Sequence, residues 1–230
     1  MKTGWIIHNG FNKSIKFNEH VSWFVETFKM LGVTLLPKAN FDIQIILNDE
    51  ISFSYDKPDF VLFWDKDIHL AKCLEALGIR LFNSSSAIEI CDNKFLTHIE
   101  LSKNNIPSPK TISGPKTFPN LGFDDFSFVD KAIEKLGLPL IIKECYGSFG
   151  FNVYLVETKE KCIEKVLEIS SKPFIFQEFI KESFGKDVRL NVVGNKVVAS
   201  TKRVNLNGDY RANVTNGGTM YPYTPSKEEI

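Results

Sequence analysis

The chain has 230 residues, of which 43% are hydrophobic and 24% charged, and its basic and acidic side chains balance to a net charge of zero. This composition is ordinary for a globular protein, and the zero net charge excludes a global field directed at nucleic acid or at an anionic membrane. The N-terminus lacks the apolar run of a signal peptide, and no later stretch reaches the length of a membrane span. We therefore expect a cytoplasmic protein that binds neither nucleic acid nor a membrane.

Cysteine and histidine do not predict a zinc site. The four residues of each type are dispersed, and no C-x-x-C pair occurs; they are Cys73, Cys91, Cys145, Cys162, His8, His20, His69 and His98. Free thiols in an intracellular protein are the better interpretation.

The first 85 residues alternate between apolar runs and helical stripes. We predict strands at 4–8, 41–47, 59–64 and 79–83, and helices at 17–31 and 68–77. Strands that alternate with helices predict a parallel sheet covered on both faces. Residues 1–85 are therefore predicted to be a small α/β domain.

The remaining chain predicts two further parts, 86–172 and 173–230. The expected elements are helices at 84–104, 126–136 and 158–169, strands at 109–112, 139–145 and 152–156, and several strands over 174–204 with a turn at Gly194-Asn195. Residues 114–124 are rich in turn formers and are the segment we expect to be most mobile.

An apolar run that ends in Lys143 and precedes a glycine loop is the most informative motif. A lone lysine at a strand end can simply extend to solvent. Here Gly147, Ser148, Phe149 and Gly150 follow, and glycines let backbone N–H groups approach phosphate oxygens. The pattern is not the G-x-x-x-x-G-K-[ST] phosphate loop, because the lysine comes first, on a strand. We therefore predict that Lys143 contacts a polyphosphate and that the glycine loop forms a lid over it.

The order of four segments resembles the ATP-grasp superfamily, and most closely its RimK-type glutamate ligases. The segments are FNSSSAIEICDNKFLTHIELSKNNIPSPKT (82–111), IIKECYGSFGFNVYLVE (141–157), QEFIKESFGKDVRLNVVGNKVVASTKR (177–203) and GDYRANVTNGG (208–218). The resemblance implies an α/β (α+β) ATP-grasp fold with an N-terminal parallel pre-ATP-grasp domain at 1–85, a central subdomain with the glycine-rich lid at 86–172, and a C-terminal subdomain at 173–230.

The resemblance also implies a set of nucleotide-binding residues. Lys94 and Lys143 match lysines that contact ATP phosphates, although D-N-K stands here where the family has D-K. Gln177-Glu178-Phe179-Ile180 interrupts an apolar strand, and it is either an exposed edge or a hinge that presents backbone groups and apolar walls to adenine. We expect the hinge, with Asp187 as a ribose acceptor. Positions matching Lys202, Arg211, Ala212 and Asn213 complete the ATP site.

Cations concentrate in this part of a neutral chain, which indicates a site for polyanions. They are Lys94, Lys143, Lys186, Arg189, Lys202, Arg203 and Arg211. Charges that alternate outward along a strand are the alternative explanation. Guanidinium groups bind phosphates and carboxylates with two hydrogen bonds. Arg203 matches a family arginine, so the resemblance implies that it holds the acyl phosphate, and we expect a catalytic role for Arg203 and Arg189.

The implied reaction forms an amide bond with ATP as energy source. A carboxylate attacks the γ-phosphoryl group, and an amine then displaces phosphate from the acyl phosphate. The expected partners are ATP, a glutamate-like amino acid and a carboxylate acceptor, and a homo-oligomer is compatible with the family. Ser148 is expected to contact phosphate rather than act as a nucleophile.

Mg²⁺ (or Mn²⁺) is the expected metal, but its ligands are not predicted within the chain. The family supplies them from an aspartate and an E-x-N motif on late strands, which we expect beyond Ile230. The chain is therefore expected to be a fragment of a longer ligase. A nucleotide-binding module without catalytic activity remains the alternative. An NAD-binding Rossmann enzyme is disfavoured, since no G-x-G-x-x-G follows the first strand.

Overall fold

A four-stranded parallel sheet organises the first 92 residues. The computed structural model describes residues 2–230, and the chain divides into two units, Met1–Asp92 and Asn93–Ile230. The strands of the first unit are β1 (Thr3–His8), β2 (Thr34–Ala39), β3 (Ile46–Leu47), β4 (Ile51–Ser52), β5 (Phe60–Trp64) and β6 (Leu81–Phe82). The order β2-β1-β5-β6 is parallel throughout, which confirms the predicted class of sheet.

Helices cover both faces of this sheet because successive residues of β1 point to opposite sides. They are α1 (Ile15–Met30), α2 (Ile68–Ala76) and α3 (Ser85–Asp92). Ile7 packs in one buried cluster with Leu74 of α2, whereas Ile6 packs in another with Val21 of α1. Among residues 2–230, no helix is long and apolar enough to cross a membrane.

The predicted buried strand at 41–47 is wrong. The second strand is β2, and residues 41–47 instead follow a 3-10 turn at Asn40–Asp42 into the exposed β3–β4 hairpin. The Asp42 carboxylate accepts a hydrogen bond from the Ala39 backbone N–H at 3.0 Å, which stabilises this turn. Pro37 obscured β2 in the sequence, and it is tolerated because β2 lies at the edge of the sheet.

The helix predicted at 84–104 is two helices, α3 and α4 (Lys94–Lys103). Asn93 interrupts them, since its side chain accepts hydrogen bonds from the N–H groups of Phe95 and Leu96 at 3.0 and 3.2 Å. This is the geometry of an N-cap. Lys94 therefore occupies the first position of a new helix.

An antiparallel sheet with the order β7-β10-β8-β9 forms the first layer of the second unit. Its strands are β7 (Thr111–Ser113), β8 (Leu140–Glu144), β9 (Val153–Val156) and β10 (Phe174–Glu178), and it is accompanied by α5 (Ser127–Leu136) and α6 (Lys159–Ile169). One face packs in a core with both helices, where Ile142 and Phe176 meet Val129 and Val166. The opposite face carries Lys143 and Gln177.

A second antiparallel sheet consists of β11 (Lys186–Val193), β12 (Lys196–Val204) and β13 (Thr219–Pro222). Gly194, with φ of 62°, forms the turn between β11 and β12, and a bulge between Asn191 and Val192 shifts their register. The three-part division of the chain remains a prediction. β10 belongs to its third part but pairs with β7 and β8 of its second.

Candidate functional site

Lys143 lies on the face of β8 that is turned away from the core. Its neighbour across the sheet is Ile175 of β10, and its Nζ donates a hydrogen bond to Oε1 of Gln177 at 2.5 Å. Gln177 is only 4% exposed. Within residues 2–230, no carboxylate lies at ion-pair distance from Lys143. A neutral amide therefore holds this partly buried cation.

Burial, together with the nearby positive charge of Lys94, lowers the pKa of Lys143 from the ordinary lysine value to about 8. Both effects disfavour the ammonium form, because it has left water without gaining a negative partner. An anion at this position would supply that partner. The electrostatics of the site are thus suited to a phosphate or carboxylate ligand.

Lys94 connects α4 to the glycine loop. Its backbone N–H donates to the carbonyl oxygen of Cys145 at 2.9 Å, and its Nζ donates to the carbonyl oxygen of Gly147 at 3.1 Å. Lys94 and residues 147–153 line a cavity of about 60 Å³. The two lysines predicted to contact phosphate therefore converge on one end of β8.

The loop after β8 requires its glycines. Gly147 has φ of 127° and Gly150 has φ of 79°, both in the region that other residues rarely adopt. A Cβ at Gly147 would lie 2.8 Å from Nδ2 of Asn152, and one at Gly150 would lie 2.6 Å from Oδ1 of Asn213. Phe149 also has a positive φ, of 63°. The backbone of this loop is therefore tightly constrained.

The segment between β12 and β13 forms hydrogen bonds with the same loop. The carbonyl oxygen of Gly150 accepts a hydrogen bond from Nη1 of Arg211 at 3.1 Å. The carbonyl oxygen of Phe149 accepts from Oγ1 of Thr215 at 2.8 Å and from Nδ2 of Asn216 at 3.2 Å. Ala212 is buried and Asn213 lies against Gly150. The structure thus brings the predicted residues 211–213 to the glycine loop.

Arg211 already has an acidic partner. Its Nε and Nη2 donate to the two carboxylate oxygens of Asp209 at 3.0 and 2.7 Å. These hydrogen bonds raise the pKa of Arg211 and lower the pKa of Asp209. The positive charge of Arg211 is therefore compensated within the loop.

The four predicted hinge residues divide between two environments. Gln177 points into the sheet face beneath Lys143, and its side chain is not available to a base. Glu178 accepts a hydrogen bond from the Lys110 backbone N–H at 2.7 Å. Phe179 packs edge-on against Phe184 with ring centroids 6.2 Å apart, and Ile180 is exposed. Residues 178–180 therefore form the exit from β10.

The second sheet pairs Arg203 with Asp187. The two residues lie directly opposite each other in the β11–β12 register, and Nε and Nη2 of Arg203 donate to the carboxylate at 2.7 and 2.5 Å. Arg189, two residues along β11, shares their face and is exposed. Lys186 and Lys202 point to the other face of the hairpin. The structure therefore separates Lys202 from Arg203 instead of gathering all the predicted cations.

His98 shares a hydrogen-bond network with Lys143, and the sequence interpretation missed it. Its Nε2 lies 2.8 Å from Nε2 of Gln177, whose amide nitrogen also donates to Oγ1 of Thr111 at 2.8 Å. Burial lowers the pKa of His98, and the positive charge of Lys143 adds to this effect. Lys94 and His98 are four residues apart and share a face of α4, which is the signal that could have identified it.

The described residues do not fit a metal site. Within residues 2–230, no group of three or more histidine, cysteine, aspartate or glutamate side chains could hold an ion. The expected magnesium thus has no ligand set in the part of the chain that the structure describes. The donors that are present, two lysines and a glycine loop, suit an anion.

Comparison with known proteins decides the family. The sequence profile of the RimK-like ATP-grasp domain matches residues 91–230, which is more than half of the chain. The chain belongs to the RimK-like ATP-grasp family. The match includes both lysines, the glycine loop and both sheets of the second unit.

Curated relatives extend the RimK-like comparison. An uncharacterized protein of Mycoplasma pneumoniae is 36% identical over 176 residues, which cover 75% of this chain and 60% of that protein. Human N-acetylaspartylglutamate synthase A is 37% identical over 155 residues, which cover 67% of this chain and 38% of the synthase. The matched part of the chain thus spans 38% to 60% of the length of these relatives.

A solved structure confirms the fold. The RimK-domain ATP-grasp protein of Sphaerobacter thermophilus superimposes with a TM-score of 0.65 over 94% of this chain and 77% of that one, at 18% identity. The predicted α/β ATP-grasp fold is therefore correct.

Proposed function

We propose that the protein is an ATP-dependent carboxylate–amine ligase that joins a glutamate-like amino acid to a carboxylate acceptor. Membership of the RimK-like family supports the reaction class. The name of the human relative, N-acetylaspartylglutamate synthase, supports glutamate as the amine.

The observation that carries the proposal is the uncompensated cation at the end of β8. Lys143 is partly buried, has a lowered pKa and has no carboxylate partner within residues 2–230. Lys94 adds a second positive charge at the neighbouring loop. We assign the nucleotide phosphates to Lys94, Lys143 and the loop Gly147–Gly150, where Ser148 contacts phosphate.

Adenine is assigned to the exit from β10. Backbone groups of residues 178–180 would meet the polar edge of the base, and Phe179 and Ile180 would supply apolar contact. Asp187 is the candidate acceptor for the ribose hydroxyls. Since both of its oxygens bind Arg203, a ribose would have to share the carboxylate with that arginine.

Arg203 and Arg189 are assigned to the transferred phosphoryl group. Arg203 uses Nε and Nη2 on Asp187, which leaves the N–H groups of Nη1 for an anion. Arg189 lies on the same face and is exposed to solvent. Lys202 lies on the opposite face, so it would contribute its positive charge to the electrostatic field of the site. Arg211, Ala212 and Asn213 would hold the glycine loop over the nucleotide.

The reaction requires positioning and charge neutralisation more than covalent help from the protein. A carboxylate oxygen attacks the γ-phosphorus, the bond to the bridging oxygen breaks, and ADP leaves. The amine then attacks the acyl carbon, loses a proton, and phosphate departs with the attacking carboxylate oxygen. Magnesium belongs to the expectation for the family, and no step is assigned to it here because the described residues provide no site.

Oxygen transfer tests the proposal. Full-length protein, ATP and magnesium are combined with amino acids and candidate carboxylates labelled with ¹⁸O. The proposal predicts phosphate release that requires both substrates, an amide product, and one labelled oxygen in the released phosphate. A protein that binds ADP but releases no phosphate with any pair would instead be a nucleotide-binding module. Unlabelled phosphate alongside an amide product would exclude the acyl phosphate.

A further inference from the structure

A chain of hydrogen bonds joins His98 of α4 to Lys143 through the side chain of Gln177. The hydroxyl of Thr111 donates to the carbonyl oxygen of Pro109 at 2.9 Å, so its oxygen is the acceptor for Gln177. The Gln177 oxygen accepts from the Lys143 ammonium, which can only donate. The amide nitrogen of Gln177 must therefore face both Thr111 and His98.

These contacts determine the state of His98. Because the amide nitrogen has only hydrogens to offer, Nε2 of His98 must be an acceptor and carries no proton. The neutral ring then holds its proton on Nδ1, which lies 3.4 Å from Oγ of Ser108. With Gln177 buried, this is the one arrangement in which the amide, the imidazole and Lys143 are all satisfied.

We propose that neutral His98 is a positioning residue of the phosphate site: through the Gln177 amide it holds Lys143 in place, and protonation of His98 releases that hold. The inference rests on the proposed role of Lys143 in binding nucleotide phosphate. A proton on Nε2 would oppose the amide N–H groups. If the amide turned to accept that proton, its N–H groups would face the Lys143 ammonium, and donor would oppose donor.

Within residues 2–230, the charge that shifts the pKa of His98 is positive. It belongs to Lys143 on β8, and a second cation, Lys94, lies one turn earlier on α4. Ser108 and Thr111 are neutral hydroxyls. The thiol of Cys145, buried beside the start of α4, has a raised pKa and is therefore also neutral. Burial and positive neighbours thus favour neutral His98, and the network uses that form.

Charge alone predicts the opposite effect of pH on phosphate binding, so the two explanations can be distinguished by experiment. A charged His98 would add a cation near the phosphate and strengthen binding if charge alone mattered. The network predicts weaker binding, because the cation that contacts phosphate is no longer held. His98→Gln separates the two, since a glutamine carbonyl oxygen can reach the position of Nε2, accepts the same hydrogen bond and does not titrate.

The first test does not involve nucleotide. ¹⁵N NMR of the imidazole near neutral pH should show His98 neutral with its proton on Nδ1. Gln177→Leu removes the donor and should allow the proton to move to Nε2. A wild-type ring protonated on Nε2, or a tautomer that does not respond to Gln177→Leu, would overturn the inference even if Lys143 binds phosphate.

The second test measures ADP affinity by calorimetry. Near neutral pH, His98→Phe should weaken binding about 5-fold, the effect of one net hydrogen bond, whereas His98→Gln should restore it to within about 2-fold of wild type. In a Lys143→Met background, His98→Phe should have no further effect. An equal loss with and without Lys143 would show a merely structural role for His98 and overturn the inference.

The third test uses pH. The ratio of wild-type to His98→Gln affinity cancels the ionisation of ADP itself. This ratio should fall as pH is lowered through the pKa of His98, and a constant or rising ratio would contradict the inference. If Lys143→Met binds ADP as tightly as wild type, the proposed function fails instead, and the NMR result still decides whether the network exists.

Discussion

On the β7–β10 sheet, Lys143 lies partly buried against a neutral amide, whereas on the β11–β13 sheet Arg203 forms a two-point ion pair with Asp187. Arg211, in the segment before β13, is likewise paired with Asp209. The first region keeps a cation without compensation, whereas the second compensates Arg203 and Arg211 from its own acids. An incoming anion should therefore gain most at Lys143 and must compete with a carboxylate at Arg203 and Arg211.

The largest effect should come from removing the uncompensated cation. Lys143→Met should weaken ADP binding by about 1.5–3 kcal/mol, the range for a hydrogen bond to a charged group, as measured by calorimetry. Lys131→Met, on the exposed side of α5, removes the same charge from the chain without touching the site. Similar affinities for the two variants would break the comparison, because net charge rather than position would then explain binding.

The glycine loop should give the next largest effect. Gly150→Ala combines a positive φ with a Cβ 2.6 Å from Asn213, and it should weaken ADP binding by about 1–2 kcal/mol. Gly194→Ala is the matched control, since it has φ of 62° but nothing within 4 Å of its Cβ. Both variants should lose some stability, but Gly194→Ala should keep its ADP affinity. Equal affinities would mean that the loop geometry does not matter for the nucleotide.

Lys143 should also reduce the stability of the protein without ligand. Its lowered pKa means that the unfolded chain binds more protons between about pH 8 and the ordinary lysine value of 10.5. Its unfavourable contribution is thus complete below pH 8 and declines as pH rises through that window. Lys143→Met should raise the free energy of unfolding near neutral pH by about 1 kcal/mol in urea titrations, after allowance for the lost bond to Gln177 and for partial exposure. A destabilised variant would show that the lysine is a structural residue.

The smallest effect is expected where an arginine is released from its acid. Asp209→Asn removes the carboxylate that holds Arg211, so ADP should bind about 2- to 3-fold more tightly, comparable to a partly exposed ion pair. Asp130→Asn, which breaks the exposed pair with Lys159, serves as the control and should leave affinity unchanged. Weaker binding in Asp209→Asn would mean that Asp209 is needed to position Arg211, and the contrast between the two regions would be less sharp.

The local part of the candidate site is visible in the sequence. Lys143 and the glycines belong to one hairpin, β8 and β9, whose strand–lysine–loop order is visible over a dozen residues. The break at Asn93 is harder to predict, because in the sequence Asn93 is one polar residue within a continuous helical stripe. It acts as an N-cap only in the folded chain, where its side chain accepts hydrogen bonds from the next helix. The strand β2 was missed because it contains Pro37. A proline is compatible with a strand at the edge of a sheet, and the sequence does not show which strand lies at the edge.

Long-range register explains what the sequence could not show. Gln177 lies beneath Lys143 because β10 pairs with β8 in one register and not in a neighbouring one. On the second sheet, a hairpin counted back from Gly194-Asn195 would place Asp187 opposite Lys202. The bulge after Asn191 shifts the pairing by one residue, so Asp187 meets Arg203 instead. Such a bulge leaves little trace in the pattern of side chains.

Proton uptake on ADP binding tests the central claim most directly. At about pH 8.5, ADP is already fully ionised, whereas a Lys143 with a pKa of about 8 is mostly neutral. A phosphate beside the lysine raises its pKa, so binding should take up a proton. Calorimetry in two buffers of different ionisation enthalpy should detect this uptake in wild type and not in Lys143→Met. Binding without proton uptake in the wild-type protein would contradict the claim that a Lys143 with a lowered pKa receives the phosphate.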